Sequence, residues 1–261
     1  MSRGAVVLGV VLGVAVSGWA GEITHCGEYV SGNGFLSADL DCSGQLGTPL
    51  IILNGGSLDL RGFTLTAHNV DLSGAYGAYG VLCEGSCRVS GGGGAIVADG
   101  NRTGGDLAAL GAEGNIVVTD LTVRDSSSIG IFAYRSGRVF NSTVTGSRSI
   151  GIASRLHLKL VNSIVAGGEY GAASDRLVVQ GSTISGSSEF GLDGYISMRL
   201  IDSTVTGNGV DPECGNTVLC ADVVTEDVHP PRLINSTCDT SLHSFQGVPS
   251  GTWCVCARDG C

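Results

Sequence analysis

Two short motifs recur along the middle of this chain at one spacing, and that spacing restricts the fold more than any other feature. The first reads Gly-Ala-Ile-Val-Ala from Gly94, Asp-Leu-Thr-Val-Arg from Asp120, Asn-Ser-Thr-Val-Thr from Asn141, Asn-Ser-Ile-Val-Ala from Asn162, Gly-Ser-Thr-Ile-Ser from Gly181 and Asp-Ser-Thr-Val-Thr from Asp202. From Asp120 onward the starts lie 21, 21, 19 and 21 residues apart, and the step from Gly94 is 26, which leaves room for an extra loop. The second marker is Tyr79-Gly80-Val81, Leu110-Gly111-Ala112, Ile129-Gly130-Ile131, Ile150-Gly151-Ile152, Tyr170-Gly171-Ala172 and Phe190-Gly191-Leu192. Two markers that keep one period identify a solenoid, with one coil per repeat.

A coil of this length is too short for a four-stranded propeller blade. It also lacks the leucine pattern and the helical stretch of a leucine-rich repeat. Short β-prone segments between Gly, Ser, Asn and Asp predict an all-β, right-handed parallel β-helix with two or three strands per coil, stacked about 4.8 Å apart. Stacking converts the repeats into ladders. Val97, Val123, Val144, Val165, Ile184 and Val205 form one expected core ladder; Val118, Val139, Leu160, Val179 and Leu200 form another. Ile129, Ile150, Tyr170 and Phe190 are expected to point inward beside the second marker. Asn141, Asn162 and Asp202 are placed at one bend, where their side chains can bond backbone or neighbouring rungs.

Composition agrees with this reading. The 43 Gly follow no Gly-X-Y period, which excludes collagen. Interior Gly costs a helix about 1 kcal/mol relative to Ala, which argues against a helical bundle. With 43% hydrophobic and 15% charged residues, the chain is not of the disordered class.

Residues 1–20 read as a signal peptide. Arg3 precedes an apolar run from Ala5 to Val16, and Gly18 and Ala20 are small residues before a cleavage site. That run is well short of the roughly 20 residues a membrane span needs. Beyond it, residues 21–57 are expected as an N-terminal cap, 58–208 as the coils and 209–261 as a Cys-rich C-terminal cap. The processed chain is expected to be soluble and monomeric. It would carry 13 Lys and Arg against 24 Asp and Glu, a net charge of −11. Such a balance speaks against nucleic acid and anionic membranes as partners, and against simple capture of polyanions.

The ten cysteines read as structural disulfides in an exported chain. Short loops suggest Cys26–Cys42, Cys83–Cys87 and Cys214–Cys220, with Cys238–Cys256 and Cys254–Cys261 in the tail. Zinc is the competing reading for Cys83-Glu-Gly-Ser-Cys87 and Cys254-Val-Cys256. It lacks a Cys-x-x-Cys or a paired-histidine pattern, so no metal site is expected.

These features resemble the secreted bacterial right-handed β-helix repeat proteins of the pectin-lyase-like superfamily. Leu36-Ser-Ala-Asp-Leu-Asp-Cys42 and Ser57-Leu-Asp-Leu-Arg-Gly-Phe-Thr-Leu65 look like that family's opening strands, often written LDLNGHTI, with Arg61 and Phe63 in place of Asn and His. The segment from Cys238 to Trp253-Cys-Val-Cys256 is similar to its Cys…Trp-Gly-Val-Cys ending. The resemblance implies the architecture. It leaves activity open, because the fold hosts lyases, hydrolases, epimerases and adhesins.

Chemistry on such a scaffold requires charged side chains converging on one outer face. Two positions past the second marker's Gly stand Leu82, Phe132, Ala153, Ala173 and Asp193; four past it stand Glu84, Tyr134, Arg155, Asp175 and Tyr195. Asp175 and Asp193 are the carboxylates offered there, roughly 8 Å apart by strand geometry. Glu169 over Glu189 is a second pair, about 5 Å apart if on adjacent rungs, a separation compatible with retaining glycosidases. Phe132, Tyr134 and Tyr195 could stack on sugar rings, with Arg155, Asp175 and Asp193 as polar partners. Arg138, Lys159 and Arg199 form a basic stripe broken by Val178. The expected role is therefore a non-catalytic exported module that binds an extracellular glycan or has a structural or adhesive surface role, with no cofactor. The alternative is a polysaccharide lyase or glycoside hydrolase, and only the lyase reading brings in Ca²⁺.

Overall fold

The computed structural model describes residues 21–43, 48–67, 79–98, 108–209, 221–225, 231–245 and 248–251. The stretch read as a signal peptide, and Cys214, Cys220, Cys254, Cys256 and Cys261, lie outside them.

The molecule is a parallel β-helix with three-sided coils. One coil runs through Ile129–Ala133 on face one, Ser136–Phe140 on face two and Thr143–Thr145 on face three. Faces two and three alternate buried and outward residues as a pleated strand does, while face one, Ile-Gly-Ile-Phe-Ala, is apolar throughout. Every segment pairs in parallel with its equivalent in the next coil: Ile131 with Ile152, Val139 with Leu160 and Val144 with Val165. Parallel crossovers take the right hand, which gives the helix its sense.

The core is a set of columns. Val118, Val139, Leu160, Val179 and Leu200 line face two, and Val123, Val144, Val165, Ile184 and Val205 line face three, all buried. Full burial of each such side chain contributes about 1.5–3 kcal/mol. The face-three column enters the preceding coil at Ile96, because Ile96 pairs with Val123 and Val97 with Arg124. The expected Val97 is thus one residue out of register. Ser90 pairs with Thr119 and Ala95 with Thr122, so the run from Gly91 to Gly94 spans what Asp120 and Leu121 span alone. That wider bend turns at Gly92 and Gly93, both at positive φ.

The second marker also slips in one coil. Tyr79 pairs with Ala108 and Ala108 with Ile129, so Ala108-Ala109-Leu110 is the equivalent of Ile129-Gly130-Ile131, two residues before the expected Leu110-Gly111-Ala112. Ile129, Ile150, Tyr170 and Phe190 do not reach the core: each is half-buried on the outside of face one. The inward positions belong to the following glycines. A Cβ on Gly151 would lie 2.5 Å from both the Gly171 carbonyl and Val165 Cγ1, so the coil turns inward where only backbone fits. Large residues beside the marker are displaced outward.

At the bend between faces two and three, Asp120, Asn141, Asn162, Asp202 and Asn235 all take φ near 50°. Asn and Asp tolerate this left-handed conformation better than other side chains. Asn162 Nδ2 donates to Asn141 Oδ1 at 3.4 Å, and Asn235 Nδ2 to Asp202 Oδ1 at 3.2 Å. The serines that follow point inward. Ser142, Ser163, Ser182, Ser203 and Ser236 are buried. Each hydroxyl accepts the amide N–H of the preceding coil and donates to a carbonyl two residues back in its own coil.

Stacking extends into both terminal regions. Gly21–Ile23 pairs with Asn33–Leu36, which pairs with Ser57–Asp59. At the other end Arg232–Ile234 pairs with face two of the coil before it, and Ala221–Thr225 with face one. The ladder there passes from Ser203 to Ser236, so added residues between rungs hide the period without ending the stack. Val248–Gly251 then turns back antiparallel to Ser241–Phe245. The bonds Cys26–Cys42 and Cys83–Cys87 form as expected. Cys238 is also disulfide-bonded, and its expected partner Cys256 lies outside the described residues.

Candidate functional site

The six residues selected from the two outward ladders come together. Phe132, Tyr134, Arg155, Asp175, Asp193 and Tyr195 line one open depression of about 380 Å³, with Ala153, Ala173, Ser154 and Ser174 at its base. It crosses four consecutive coils at the end of face one, where the chain turns toward face two.

Its floor follows from register. Phe132, Ala153, Ala173 and Asp193 are successive partners in one column, so a large aromatic ring is followed by two methyl groups and then a carboxylate. The short side chains leave the hollow. Behind them the Ser154 and Ser174 hydroxyls bond each other at 2.9 Å and are buried. The wall is the second column. Arg155 Nη1 donates to the Tyr134 hydroxyl at 2.7 Å, and its guanidinium carbon lies 5.2 Å from that ring's centroid. This pins the phenol while leaving the ring 50% exposed; Tyr195 across the hollow is 59% exposed. A register irregularity between Ser174 and Arg176 offsets Asp175 from Tyr195. An exposed aromatic ring flanked by a guanidinium and carboxylates can stack on an apolar sugar face and bond its hydroxyls.

Glu169 and Glu189 sit outside this hollow, on adjacent rungs at the turn into face one: the Glu189 amide donates to the Glu169 carbonyl at 2.9 Å. Glu169 accepts from Ser149 Oγ at 3.1 Å. Tyr170 links the pair to the groove. Its ring packs 5.3 Å from that of Phe190. Its phenol is pushed up to about 12, first by burial, then by its hydrogen bond and charge interaction with Glu189, and further by the charges of Asp193 and Glu169. A phenol held protonated beside carboxylates is a hydrogen-bond donor at neutral pH rather than a base. Among the described residues, no group of three or more His, Cys, Asp or Glu converges as a metal site would require.

Two residues escaped the sequence reading. Glu113 continues the wall column between Glu84 and Tyr134, since its amide bonds the Cys83 carbonyl and the Tyr134 amide bonds the Ala112 carbonyl. The slipped Leu110 marker concealed it. Asp222, buried near the last coils, is the other. Its carboxylate accepts from the Asn208, Asp239 and Thr240 amides and from Asn208 Nδ2 at 2.8–3.0 Å. Its neighbours give no repeat signal, so only the fold reveals it.

No family model and no characterised protein sequence matches the chain. Its fold is similar to that of the full-length tailspike protein 2 of Escherichia coli O157:H7 bacteriophage CAB120, with a TM-score of 0.56 at 12% identity. The likeness covers 87% of this chain and 38% of the tailspike. At that identity it establishes a shared β-helix architecture.

Proposed function

We propose that this chain is an exported, non-catalytic β-helix that binds an extracellular glycan through the groove of Phe132, Tyr134, Arg155, Asp175, Asp193 and Tyr195. The observation that carries this reading is that two exposed tyrosines line one depression together with alanines, an arginine and two aspartates. Disulfide bonds fit an oxidising, extracytoplasmic compartment. A surface glycan role also fits a chain whose architecture is that of a phage tailspike. A glycan array probed with the processed protein tests the proposal. Binding is expected, and Tyr134→Ala with Tyr195→Ala should weaken it by about tenfold or more, on the scale of one to two lost stacking contacts. Absence of any ligand, or binding indifferent to both substitutions, overturns it.

One observation favours a second reading. The Tyr170 phenol beside Glu189, Glu169 and Asp193 is a cluster of the kind used by carbohydrate-active enzymes. Incubation with pectate, alginate and neutral glycans, with and without Ca²⁺, separates the two. Unsaturated or reducing-end products that vanish in Glu189→Gln establish a lyase or hydrolase instead.

A further inference from the structure

The acidic net charge conceals a basic face. On the outside of face two one column runs Arg88, Val117, Arg138, Lys159, Val178, Arg199 and Arg232 in unbroken register. Five of its seven positions are cationic, and all five cations are exposed. At about 4.8 Å per rung the column extends roughly 29 Å along the helix axis. Arg176 joins it from the neighbouring column, bonded to His157 at 3.0 Å. From Cys87–Ser90 to Arg232–Ile234, the residues paired on face two carry no Asp or Glu; Asp175 and Asp193 of the two long strands precede the face-two stretches 176–180 and 197–201 and lie at the groove. Arg61 and Arg124 elsewhere are ion-paired, whereas among the described residues none of the five column cations has a carboxylate partner.

Like charges directly opposite on neighbouring strands repel. Arg138 over Lys159 and Arg199 over Arg232 accept that repulsion on a chain with net charge −10, which has carboxylates enough to interleave. We propose that this column binds a linear anionic polysaccharide, carboxylated or sulfated, laid along the helix axis. A straight row of cations one or two rungs apart suits an extended polymer with regularly repeated charges. Among the described residues this face carries no exposed aromatic ring on which bases could stack, as single-stranded nucleic acid binding would use. The column is a different surface from the tyrosine groove and does not rest on it.

The test uses the processed full-length protein with immobilised polygalacturonate, dextran sulfate, neutral dextran and an oligothymidylate, at about 20 and about 300 mM NaCl. The expected result is binding to one or both acidic polysaccharides, none to dextran, and a loss of at least about tenfold at the higher salt, as counterion release requires. Preference between polygalacturonate and dextran sulfate tells carboxylate from sulfate. Arg138→Glu with Lys159→Glu should abolish the low-salt binding, while the charge-matched Arg124→Glu with Arg148→Glu, off this column, should retain most of it. Circular dichroism of both variants establishes that each is folded. Failure of both polyanions to bind at low salt overturns the proposal. Equal loss in the two variants, or stronger binding of the oligothymidylate, overturns it too. Neutral-glycan binding at the groove can fail without altering any of these outcomes.

Discussion

At the scale of single residues, the repeat conceals how unlike its positions are. Arg61 stands at φ 52, where the matching four-residue bend of the next coil carries Gly92 at φ 58, and its guanidinium lies 3.5 Å over the Phe35 ring. A left-handed conformation costs an ordinary residue about 1–2 kcal/mol, and a cation–π contact offsets about 0.5–1 of that. Tyr170 is the residue whose environment is most directly measurable. Its phenol rises from the ordinary 10 to about 12, so the fold favours the protonated form. That contribution to stability is complete below pH 10 and is lost as pH climbs toward 12. Absorbance at the tyrosinate band should therefore show one phenol titrating later than the exposed ones. Tyr170→Phe should remove that late phase and flatten the decline in stability over the same window. A titration in which the substitution removes only an ordinary phenol would contradict this environment.

At the scale of the element, the bend between faces two and three is a hydrogen-bonded spine. The buried serines accept an amide that the turn leaves without a backbone partner, and donate to a carbonyl of their own coil that already accepts one backbone N–H. Ser163→Ala leaves the Val161 carbonyl its bond from the Asn141 amide but leaves the Ser142 amide without an acceptor. A buried group in that state costs about 1–3 kcal/mol. Denaturant unfolding of Ser163→Ala should report a loss in that range, and hydrogen exchange should find faster exchange at the Ser142 amide. An unchanged midpoint would mean that the spine is dispensable. In the sequence these serines look like ordinary turn residues beside Asn. Their inward direction follows only once the preceding residue is known to take the left-handed conformation.

At the scale of the whole molecule, a solenoid is held by nearest-neighbour contacts, so its ends are its weak points. Asp222 ties three separate segments at the C-terminal end through Asn208, Asp239 and Thr240. Asp222→Ala should leave the buried Asn208 amide without an acceptor and release those of Asp239 and Thr240, at a cost of about 1–3 kcal/mol. The damage should stay local. Hydrogen exchange should accelerate from about Thr204 to Thr240 while the amides of Val123, Val144 and Val165 keep their protection. Uniform acceleration along the chain would show that the coils unfold as a single unit.

The period in the sequence was enough to determine the solenoid, the valine columns of faces two and three, the asparagine bend and the composition of the groove. These depend on alternation within a strand and on left-handed propensity, both local properties. The tertiary structure decided what depends on register between coils of unequal length. Four residues at Gly91–Gly94 replace two at the next bend, moving Val97 out of the column and Ile96 into it. The slip at Ala108–Leu110 hid Glu113, and the long step from Ser203 to Ser236 hid Arg232. The parallel backbone bonds keep the flanking strands in line whatever the length of chain between them. Neighbours across the stack are therefore chosen by the hydrogen-bonded rungs rather than by distance along the chain.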